Sequence, residues 1–453
     1  MKFWNAEIEC MERKQLHELQ LQRLKQTVKN VAEHVPYYAR KMTEKGISAA
    51  DINTLDDLKN LPFTDKEDLR KTYPFGMFAS PLEDIIRVHA SSGTTGKQTV
   101  VGYTRTDIEN WSENMARCLI MAGVKKDSRI QNCYGYGLFT GGLGVHYGVE
   151  RVGAIAIPAS TGNTERQINM LRDFKSTCIC CTPSYALYLA DTMKQMGIKK
   201  HELSLTSGIF GAEPWTEEMR QKIESQLGLK AFDIYGLSEI MGPSVSQECA
   251  CQNGLHIWED SYIAEVINPD TGEVLTEGEP GCLVITTINK EGIPLIRYKT
   301  GDICSLTKEP CDCGRTHTRM TKPIGRTDDM LIIRGVNVFP TQIESVLLNF
   351  TEVSPHYQIV VDRINNLDHL NINIELNDHI LPGYPNYLDQ LSSLVTKKLE
   401  SVIGISAKIN IVEPQSIKRS EGKAVRVIDN RRILLSKPIG GNSILYEKNI
   451  IRQ

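Results

Sequence analysis

Apolar positions recur at helical spacing near the start of the chain. Leu16 and Val31 are two of the positions that follow this spacing within residues 6–33, which predicts an amphipathic helix. A second helix is predicted to begin at a Ser/Thr-x-x-Glu capping box formed by Thr64 and Glu67.

From about residue 85 to residue 325, short apolar or β-branched runs alternate with helical segments. This alternation is typical of α/β layers whose strands are largely parallel. The predicted strands include residues 154–157, 178–181, 207–210 and 231–234, and the predicted helices include residues 164–174 and 216–227.

The pattern changes twice more along the chain. Residues 260–325 hold short strands separated by Pro, Asp and Gly turns, which predicts an antiparallel subdomain. A fresh β/α pattern begins after residue 327, so we place a domain boundary there. The predicted fold class is α/β, with a large N-terminal domain (1–327) of layered sheets and an antiparallel β subdomain, and a small α+β C-terminal domain (328–453).

Composition narrows the class of protein. The 453 residues include 52 Lys and Arg against 55 Asp and Glu, and this net charge of −3 argues against nucleic acid as a partner. We find no signal peptide and no apolar run of about 18 residues, so we expect a cytoplasmic protein without a membrane partner. The 12 cysteines are then expected to be reduced thiols or metal ligands.

The first motif with chemical content follows the apolar stretch at residues 85–88. Its two glycines allow backbone N–H groups to turn towards an anion, and its hydroxyls and lysine add donors and positive charge. The glycine spacing differs from that of a Walker A loop, and a solvated turn is the plain alternative. The motif consists of Ser91, Ser92, Gly93, Thr94, Thr95, Gly96 and Lys97.

Four further motifs follow in the chain. One ends in Glu239, a carboxylate suited to a metal ion, and the next ends in Asp302, a carboxylate suited to two ribose hydroxyls. Each motif alone is compatible with an ordinary surface turn, whereas their joint occurrence in this order is informative. The motifs cover residues 235–239, 297–302, 325–329 and 335–340.

This order of motifs resembles the adenylate-forming superfamily, and within it the aryl-acid–coenzyme A ligases, over almost the whole chain. Residues 136–144, 182–185 and 420–426 also carry the resemblance, and Gln98 departs from it because proline is usual there. The resemblance implies a two-step reaction. A carboxylate, expected to be phenylacetate, attacks the α-phosphate of ATP to give an acyl-adenylate and pyrophosphate, and the coenzyme A thiolate then displaces AMP.

The resemblance also implies a role for each motif. The loop at 91–97 is expected to hold phosphates, Glu239 to bind Mg²⁺, and Asp302 and Arg326 to hold the ribose. Lys423 is expected to act in adenylation, where it reaches both the carboxylate and the α-phosphate. The residues expected to border the adenine are Gly211, Ala212, Glu213, Pro214, Asp233, Ile234, Tyr235 and Gly236.

The small C-terminal domain is implied to be mobile and to rotate between the half-reactions. Asp328 matches the hinge position of the resembling family, although an ordinary solvated loop is the alternative. The segment expected to line the coenzyme A tunnel comprises Gly335, Val336, Asn337, Phe339 and Pro340.

The aryl group is expected to lie in an apolar pocket with its carboxylate directed at the nucleotide. Core packing is the alternative interpretation, above all for Phe210. The pocket residues matched through the resemblance are Tyr136, Phe139, Ile209, Phe210 and Gly211.

Four potential metal ligands form a separate signal. Cys249 and His256 on one loop, with Cys311 and Cys313 on another, could make a tetrahedral structural zinc site next to the antiparallel subdomain. Free thiols beside a hydrogen-bonded histidine are the alternative. The rival ligands are Cys251, Cys304 and His317.

The leading hypothesis is an ATP-dependent aryl-acid–coenzyme A ligase. The sequence leaves three alternatives open: a ligase for another arylacetate, an adenylating enzyme that loads a carrier-protein thiol, and a non-catalytic acyl-nucleotide-binding protein. The presence of both Lys423 and Glu239 argues against the last of these. The sequence also leaves a homodimer open.

Overall fold

The helices and strands follow the predicted alternation. The computed structural model describes residues 2–91, 98–327, 331–334, 336–364, 367–377, 385–419 and 424–431. Within these ranges the α-helices are α1 Ala6–Glu9, α2 Arg13–His34, α3 Pro36–Glu44, α4 Lys66–Lys71, α5 Arg105–Met121, α6 Gly141–Val152, α7 Thr164–Asp173, α8 Pro183–Gln195, α9 Glu217–Leu227, α10 Pro340–Leu348 and α11 Pro385–Ile403.

The strands described within the same ranges are mostly short. They are β1 Arg87–Ser91, β2 Thr99–Tyr103, β3 Arg129–Asn132, β4 Ile155–Ile157, β5 Cys178–Cys181, β6 Ser207–Gly211, β7 Lys230–Leu237, β8 Gly242–Glu248, β9 Leu255–Ile257, β10 Tyr262–Ile267, β11 Gly281–Thr287, β12 Tyr298–Cys304, β13 Leu306–Thr307, β14 Arg319–Met320, β15 Gly325–Arg326, β16 Leu331–Ile333, β17 Val336–Val338, β18 Val353–Ile364, β19 Leu367–Leu376, β20 Lys408–Val412 and β21 Val427–Asp429.

A nine-stranded sheet organises the large domain, in the order β13-β14-β9-β8-β7-β6-β5-β3-β4. The five strands from β4 to β7 are parallel, as the alternating pattern predicts, and they are joined through helices. From β8 onwards the strands run antiparallel. Strand β7 is therefore the last parallel strand, and its carboxyl end lies where the direction of the sheet changes.

The antiparallel subdomain predicted for residues 260–325 is confirmed. Strands β10, β11, β12 and β15 form a four-stranded antiparallel sheet. Its last pairing sets Asp302 opposite Arg326. Within this region the chain passes from one sheet to the other, because Cys304 ends β12 while Leu306 begins β13 of the nine-stranded sheet.

Two predictions near the N-terminus are wrong in detail. The predicted helix at 6–33 is interrupted after Glu9, whose buried carboxylate accepts from the backbone N–H groups of Trp4 and Asn5 and pairs with Arg315. The spacing of apolar residues could not predict this interruption of the helix, because the group that holds the chain here is a buried carboxylate.

The capping box lies one residue later than predicted. Thr64 is buried, and its hydroxyl donates to the carbonyl of Ile296 at 2.7 Å. Asp65 and Asp68 form the capping box of α4 in its place. The buried threonine thus joins the start of α4 to the strand region of the antiparallel subdomain.

The C-terminal part of the chain has its own apolar core. A sheet in the order β20-β19-β18-β21 packs with α10 and α11 around buried aliphatic residues such as Ile359, Ile372 and Leu399. Leu348, at the end of α10, packs instead into the core cluster of the large domain that holds α8 and α9. The predicted hinge, Asp328, lies outside the described residues.

None of the helices within the described ranges is both long enough and apolar enough to cross a membrane.

A buried lysine connects the turn after β7 to the loop after β11. Lys290 Nζ donates to the carbonyls of Glu239, at 3.1 Å, and Ile240, at 2.6 Å. It lies 4.9 Å from the centre of the Tyr103 ring, and the loop that carries it is tied to the start of α5 through Asp107. Burial lowers the pKa of Lys290 to about 8, although Asp107 and Glu239 act in the opposite direction.

We predict that Lys290 makes stability depend on pH in mildly alkaline solution. The pKa of Lys290 in the folded state is about 8, below the ordinary lysine value of about 10.4. Between these two pH values the unfolded chain binds the proton that the folded chain has lost, so the contribution to the free energy of unfolding rises with pH. Relative to Lys290→Met, the wild type should gain up to about 3 kcal/mol over this interval.

The measurement is urea unfolding of both proteins at several pH values between 7.5 and 10. Lys398→Met, which removes an exposed lysine on α11, controls for the loss of one positive charge. A difference between wild type and Lys290→Met that stays constant over the interval would contradict the assignment.

Candidate active site

The turn after β7 carries Glu239 and depends on a close backbone contact. A Cβ atom on Gly236 would lie 1.9 Å from the carbonyl oxygen of Gly242, so β7 and β8 can approach this closely only with glycine there. Two further contacts hold Ser238, the residue before Glu239. The hydroxyl of Tyr103 donates to its carbonyl at 3.2 Å, and Thr140 Oγ1 lies 3.0 Å from its Oγ.

Two of the predicted motifs meet at this turn. Ser91 ends β1, and its hydroxyl donates to Glu239 Oε1 at 3.3 Å. The structure therefore brings the first residue of the predicted phosphate loop to the carboxylate predicted to bind a metal. The other loop residues, Ser92 to Lys97, lie outside the described residues.

Asp302 and Arg326 form the second part of the site. Arg326 Nη1 donates to Asp302 Oδ1 at 2.7 Å, and Arg326 Nη2 donates to the carbonyl of Thr300 at 3.2 Å. Tyr235, at the end of β7, donates its hydroxyl to Asp302 Oδ2 at 2.6 Å. Burial, together with Asp302, raises the pKa of Tyr235 well above its ordinary value, so the phenol remains a donor.

The residues predicted to border the adenine lie on two adjacent strands. Gly211 ends β6 opposite Ile234 of β7, and a Cβ atom on Gly211 would lie 2.2 Å from the carbonyl oxygen of Ile234. Ala212 then adopts a left-handed backbone conformation with φ of +72°. This turn directs the chain out of the sheet at Glu213.

Asp233 was expected to border the adenine, but its side chain is buried. It is buried within β7, and its backbone N–H donates to Glu248 Oε2 at 2.8 Å. Burial, reinforced by Glu248, raises the pKa of Asp233 to about 7.

The predicted acyl-pocket residues fall into two groups. Ile209 and Phe210 are neighbours on β6, so their side chains point to opposite faces of the sheet. Phe210 is fully buried in the cluster that includes α8 and α9, with its ring centre 5.9 Å from that of Trp215. This placement favours the core interpretation for Phe210.

Tyr136 and Phe139 belong to the loop that precedes α6. The Tyr136 hydroxyl accepts from Asn132 Nδ2 at 2.9 Å, while Phe139 is partly exposed. The carbonyl of Leu138 in the same loop accepts from the backbone N–H of Ala90, at 3.0 Å. This loop therefore lies beside the end of β1, next to Ser91.

The predicted coenzyme A segment is docked against the end of the large domain. Phe339 packs over Gly325 so closely that a Cβ atom there would lie 2.2 Å from its ring, and Pro340 begins α10. Val336 begins β17. Gly335 and the side chain of Asn337 lie outside the described residues, as does Lys423.

Several residues that organise this region had no role in the sequence analysis. Lys290 lies far along the chain from Glu239, and a single lysine in a polar stretch carries no local signal. Ser184 and Arg426 lie within two of the motifs, at 182–185 and 420–426, but nothing in the sequence indicates that these two residues are in contact. In the structure, Arg426 Nη2 donates to Ser184 Oγ at 3.2 Å.

The four predicted zinc ligands come together in the structure. Their ligand atoms all lie within 4.8 Å of one another, with 3.7 Å between the sulfurs of Cys249 and Cys311 and 3.4 Å between Cys313 Sγ and His256 Nε2. Tetrahedral coordination at normal Zn–S and Zn–N bond lengths requires separations of about 3.8 Å and about 3.6 Å. The arrangement thus fits a closed tetrahedral site.

Backbone N–H groups donate to two of the sulfurs, and the pKa of one thiol is lowered. Cys249 Sγ accepts from the backbone N–H of Cys251, and Cys313 Sγ accepts from that of Arg315, both at 3.4 Å. Hydrogen bonding with Cys249 lowers the pKa of the Cys313 thiol well below its ordinary range, and His256 acts in the same direction.

The cluster joins neighbouring strands at the edge of the nine-stranded sheet. Cys249 and His256 belong to the β8–β9 hairpin, while Cys311 and Cys313 belong to the β13–β14 loop.

The rival ligands lie outside this cluster. Cys251 is exposed, and Cys304 is buried in β12. His317 makes hydrogen bonds through both ring nitrogens, to backbone atoms of Glu259, Ile257 and Ile8.

Comparison with known proteins shows the family to which this chain is similar. A model described as AMP-binding enzyme matches residues 15–289, and one described as AMP-binding enzyme C-terminal domain matches residues 335–431. The phenylacetate-coenzyme A ligase of Thermus thermophilus is 48% identical over 95% of this chain and 100% of that protein. The Escherichia coli protein of the same name is 49% identical over 93% of this chain and 96% of that protein.

Solved structures with related folds are also found. A 2-hydroxyisobutyryl-CoA ligase in the postadenylation state, in complex with 2-HIB-AMP, matches with a TM-score of 0.91 and 27% identity over 96% of this chain and 94% of that chain. The same enzyme in the thioesterification state, with 2-HIB-AMP and CoA, matches with a TM-score of 0.71 and 28% identity over 96% of both chains. With both domain models matched in order and relatives almost half identical along their whole length, the chain belongs to the AMP-binding enzyme family.

Proposed function

We propose that this protein ligates phenylacetate to coenzyme A through a phenylacetyl-adenylate, releasing AMP and pyrophosphate. The observation that carries the proposal is the convergence, around the carboxyl end of β7, of Ser91 with Glu239 and of Tyr235 with Asp302 and Arg326. Relatives about 48% identical over nearly the full chain carry the name phenylacetate-coenzyme A ligase, which supports both the reaction and the acid.

In the first half-reaction, the protein has to bring two anions together and stabilise the charge that develops at the α-phosphate. Asp302 holds the ribose hydroxyls, and the bonds that Arg326 and Tyr235 donate to its two oxygens fix the orientation of its carboxylate. The loop at 91–97 binds the phosphates. Lys423 contacts both the phenylacetate carboxylate and the α-phosphate, and so stabilises the transition state of adenylation.

The oxygen donors at the turn after β7 fit a Mg²⁺ ion. Glu239 supplies a buried carboxylate and Ser91 a hydroxyl, both of which are hard oxygen ligands. A bound Mg²⁺ would neutralise phosphate charge at this position. Lys290 keeps the turn in place through the carbonyls of Glu239 and Ile240.

In the second half-reaction, the small domain rotates about a hinge at Asp328. Lys423 then leaves the nucleotide, and the segment with Gly335, Asn337 and Phe339 lines the tunnel for coenzyme A. The thiolate attacks the acyl carbonyl, the new carbon–sulfur bond forms, and AMP leaves with the electron pair of the broken carbon–oxygen bond. The boundary at residue 327 and the hinge are part of this proposal.

We predict that Lys423→Ala lowers phenylacetate-dependent pyrophosphate release by about 10²–10³-fold, as expected when one charge-stabilising group is removed. Thioester formation from supplied phenylacetyl-adenylate and coenzyme A should stay within about twofold of wild type, because the lysine acts only in adenylation. The measurements are a pyrophosphate assay and a thioester assay run on the same preparation, and a panel of aryl and alkyl acids tests the choice of substrate.

Lys418→Ala is the matched control, since Lys418 is an exposed lysine five positions before Lys423. An equal loss of both half-reactions in Lys423→Ala would contradict the assigned role and point to a structural lysine.

We also propose that the cluster of Cys249, His256, Cys311 and Cys313 binds a structural zinc ion. The distances and the N–H donors to sulfur support this assignment. Four protein ligands complete a tetrahedral site and leave no open position for substrate, so the metal would stabilise the sheet edge and take no part in the reaction.

We predict about one zinc per chain in protein purified without chelators, the content expected of one closed site. Cys311→Ser should lose the metal and lower the melting temperature, while the preference among acids stays unchanged. Cys251→Ser is the matched control, because Cys251 is exposed and contributes only its backbone N–H. Metal analysis that finds no zinc, or Cys311→Ser with unchanged stability, would contradict the site.

The homodimer and the cytoplasmic location remain predictions from the sequence. Light scattering on the purified protein measures the first directly.

A further inference from the structure

The segment that directly follows Lys423 is held by the large domain at two points. The backbone N–H of Ala424 donates to Glu213 Oε2 at 3.0 Å, and Arg426 Nη2 donates to Ser184 Oγ at 3.2 Å. Ala424 is the next residue after Lys423 in the chain. The bond therefore holds the backbone at the residue that directly follows the proposed adenylation lysine.

Glu213 is itself fixed by the helix on which the segment docks. Its Oε1 accepts from the backbone N–H of Ser184 at 2.7 Å and from the Ser184 hydroxyl. Ser184 lies in the first turn of α8, where backbone N–H groups lack partners within the helix and the helix dipole favours a negative charge. The carboxylate thus bridges a helix N-terminus and the segment after Lys423.

Arg426 is oriented from its own domain. It pairs with Glu344 of α10, its guanidinium lies 4.6 Å from the centre of the Tyr357 ring, and Tyr357 donates to Glu344 at 2.7 Å. Burial acts to lower the pKa of Arg426, but Glu344, Tyr357 and Glu213 raise it above its ordinary value overall. The guanidinium is therefore a cation fixed by its own domain, and its Nη2 donates to Ser184.

The arrangement of the two domains matches the stage at which these contacts matter. Over the same share of this chain, the TM-score is 0.91 with a ligase in its postadenylation state and 0.71 with the same ligase in its thioesterification state. The contacts of Glu213 and Ser184 with residues 424–426 belong to the first kind of arrangement, in which Lys423 is expected at the nucleotide.

We propose that Glu213 is a positioning residue for adenylation: its carboxylate, seated on the N-terminus of α8, grips the backbone next to Lys423 and releases it when the small domain rotates. This inference rests on the proposed function. It gives Glu213 a role other than bordering the adenine, since its oxygens accept from Ser184 and from Ala424.

The test is Glu213→Gln, which keeps the size of the side chain but replaces one accepting oxygen with an NH₂ group. That group cannot accept from the N–H of Ala424 or from that of Ser184, so one side of the bridge is lost. Phenylacetate-dependent pyrophosphate release should fall by at least about tenfold, the lower end expected for loss of a hydrogen bond to a charged group. Thioester formation from supplied phenylacetyl-adenylate should change by less than about twofold.

Two further measurements separate this role from others. The affinity for ATP, measured by calorimetry, should be unchanged. Hydrogen–deuterium exchange of the peptide that contains Ala424 should become faster, and this readout does not depend on turnover. The matched control is Glu218→Gln, because Glu218 also faces the small domain but accepts from Ser345 of α10, away from the segment after Lys423. It should leave the ratio of the half-reactions and the exchange at Ala424 as in wild type.

Each other result overturns the inference. A weaker affinity of Glu213→Gln for ATP would indicate that Glu213 borders the adenine after all. An equal loss of rate in both half-reactions would indicate that Glu213 has a structural role only. If adenylation by Glu213→Gln, or hydrogen–deuterium exchange at Ala424, stays as in wild type, then Glu213 does not position this segment. If the wild type releases no pyrophosphate with any acid, the proposed function fails, while the exchange experiment still decides whether Glu213 holds residue 424.

Discussion

The close approach of β7 and β8 is the constraint on which the site depends. Gly236 and Gly242 bring the two backbones together at the place where the nine-stranded sheet turns from parallel to antiparallel. Ligands of open α/β sheets bind outside the carboxyl ends of parallel strands, where the connections change direction. Close to this point Tyr235 donates to Asp302, and Glu239 accepts from Ser91. Glu213 follows the end of the neighbouring strand β6.

Most of the polar groups around this point are buried, so each needs a partner. Lys290 meets that need for the turn itself, because it satisfies two carbonyls that the antiparallel ladder leaves free. Arg326 and Tyr235 do the same for Asp302. Partners within the protein thus fix the orientation of these groups, and groups fixed in this way are effective in electrostatic stabilisation.

The sequence predicted the fold class, the antiparallel subdomain and the grouping of the motifs, because these depend on periodicity and on the order of motifs along the chain. It also predicted the cysteine–histidine cluster, since four soft ligands in two loops are a rare local pattern. It failed where a single polar group decides the structure. Glu9 interrupts a helix, Thr64 leaves its capping role, and Lys290 links distant loops, all through partners far away in the chain.

Polar contacts hold the segment after Lys423 against the large domain, and this suits the proposed opening of the interface in every cycle. In the proposed rotation of the small domain, Arg426 keeps Glu344 and Tyr357, which belong to the same domain. Glu213 keeps the N–H and hydroxyl of Ser184 at the start of α8. Neither charge is left buried and unpaired, the situation that makes breaking an ion pair costly. Contacts whose two sides each keep hydrogen-bond or ion-pair partners within their own domain can hold the segment after Lys423 in place and still release it in the proposed rotation.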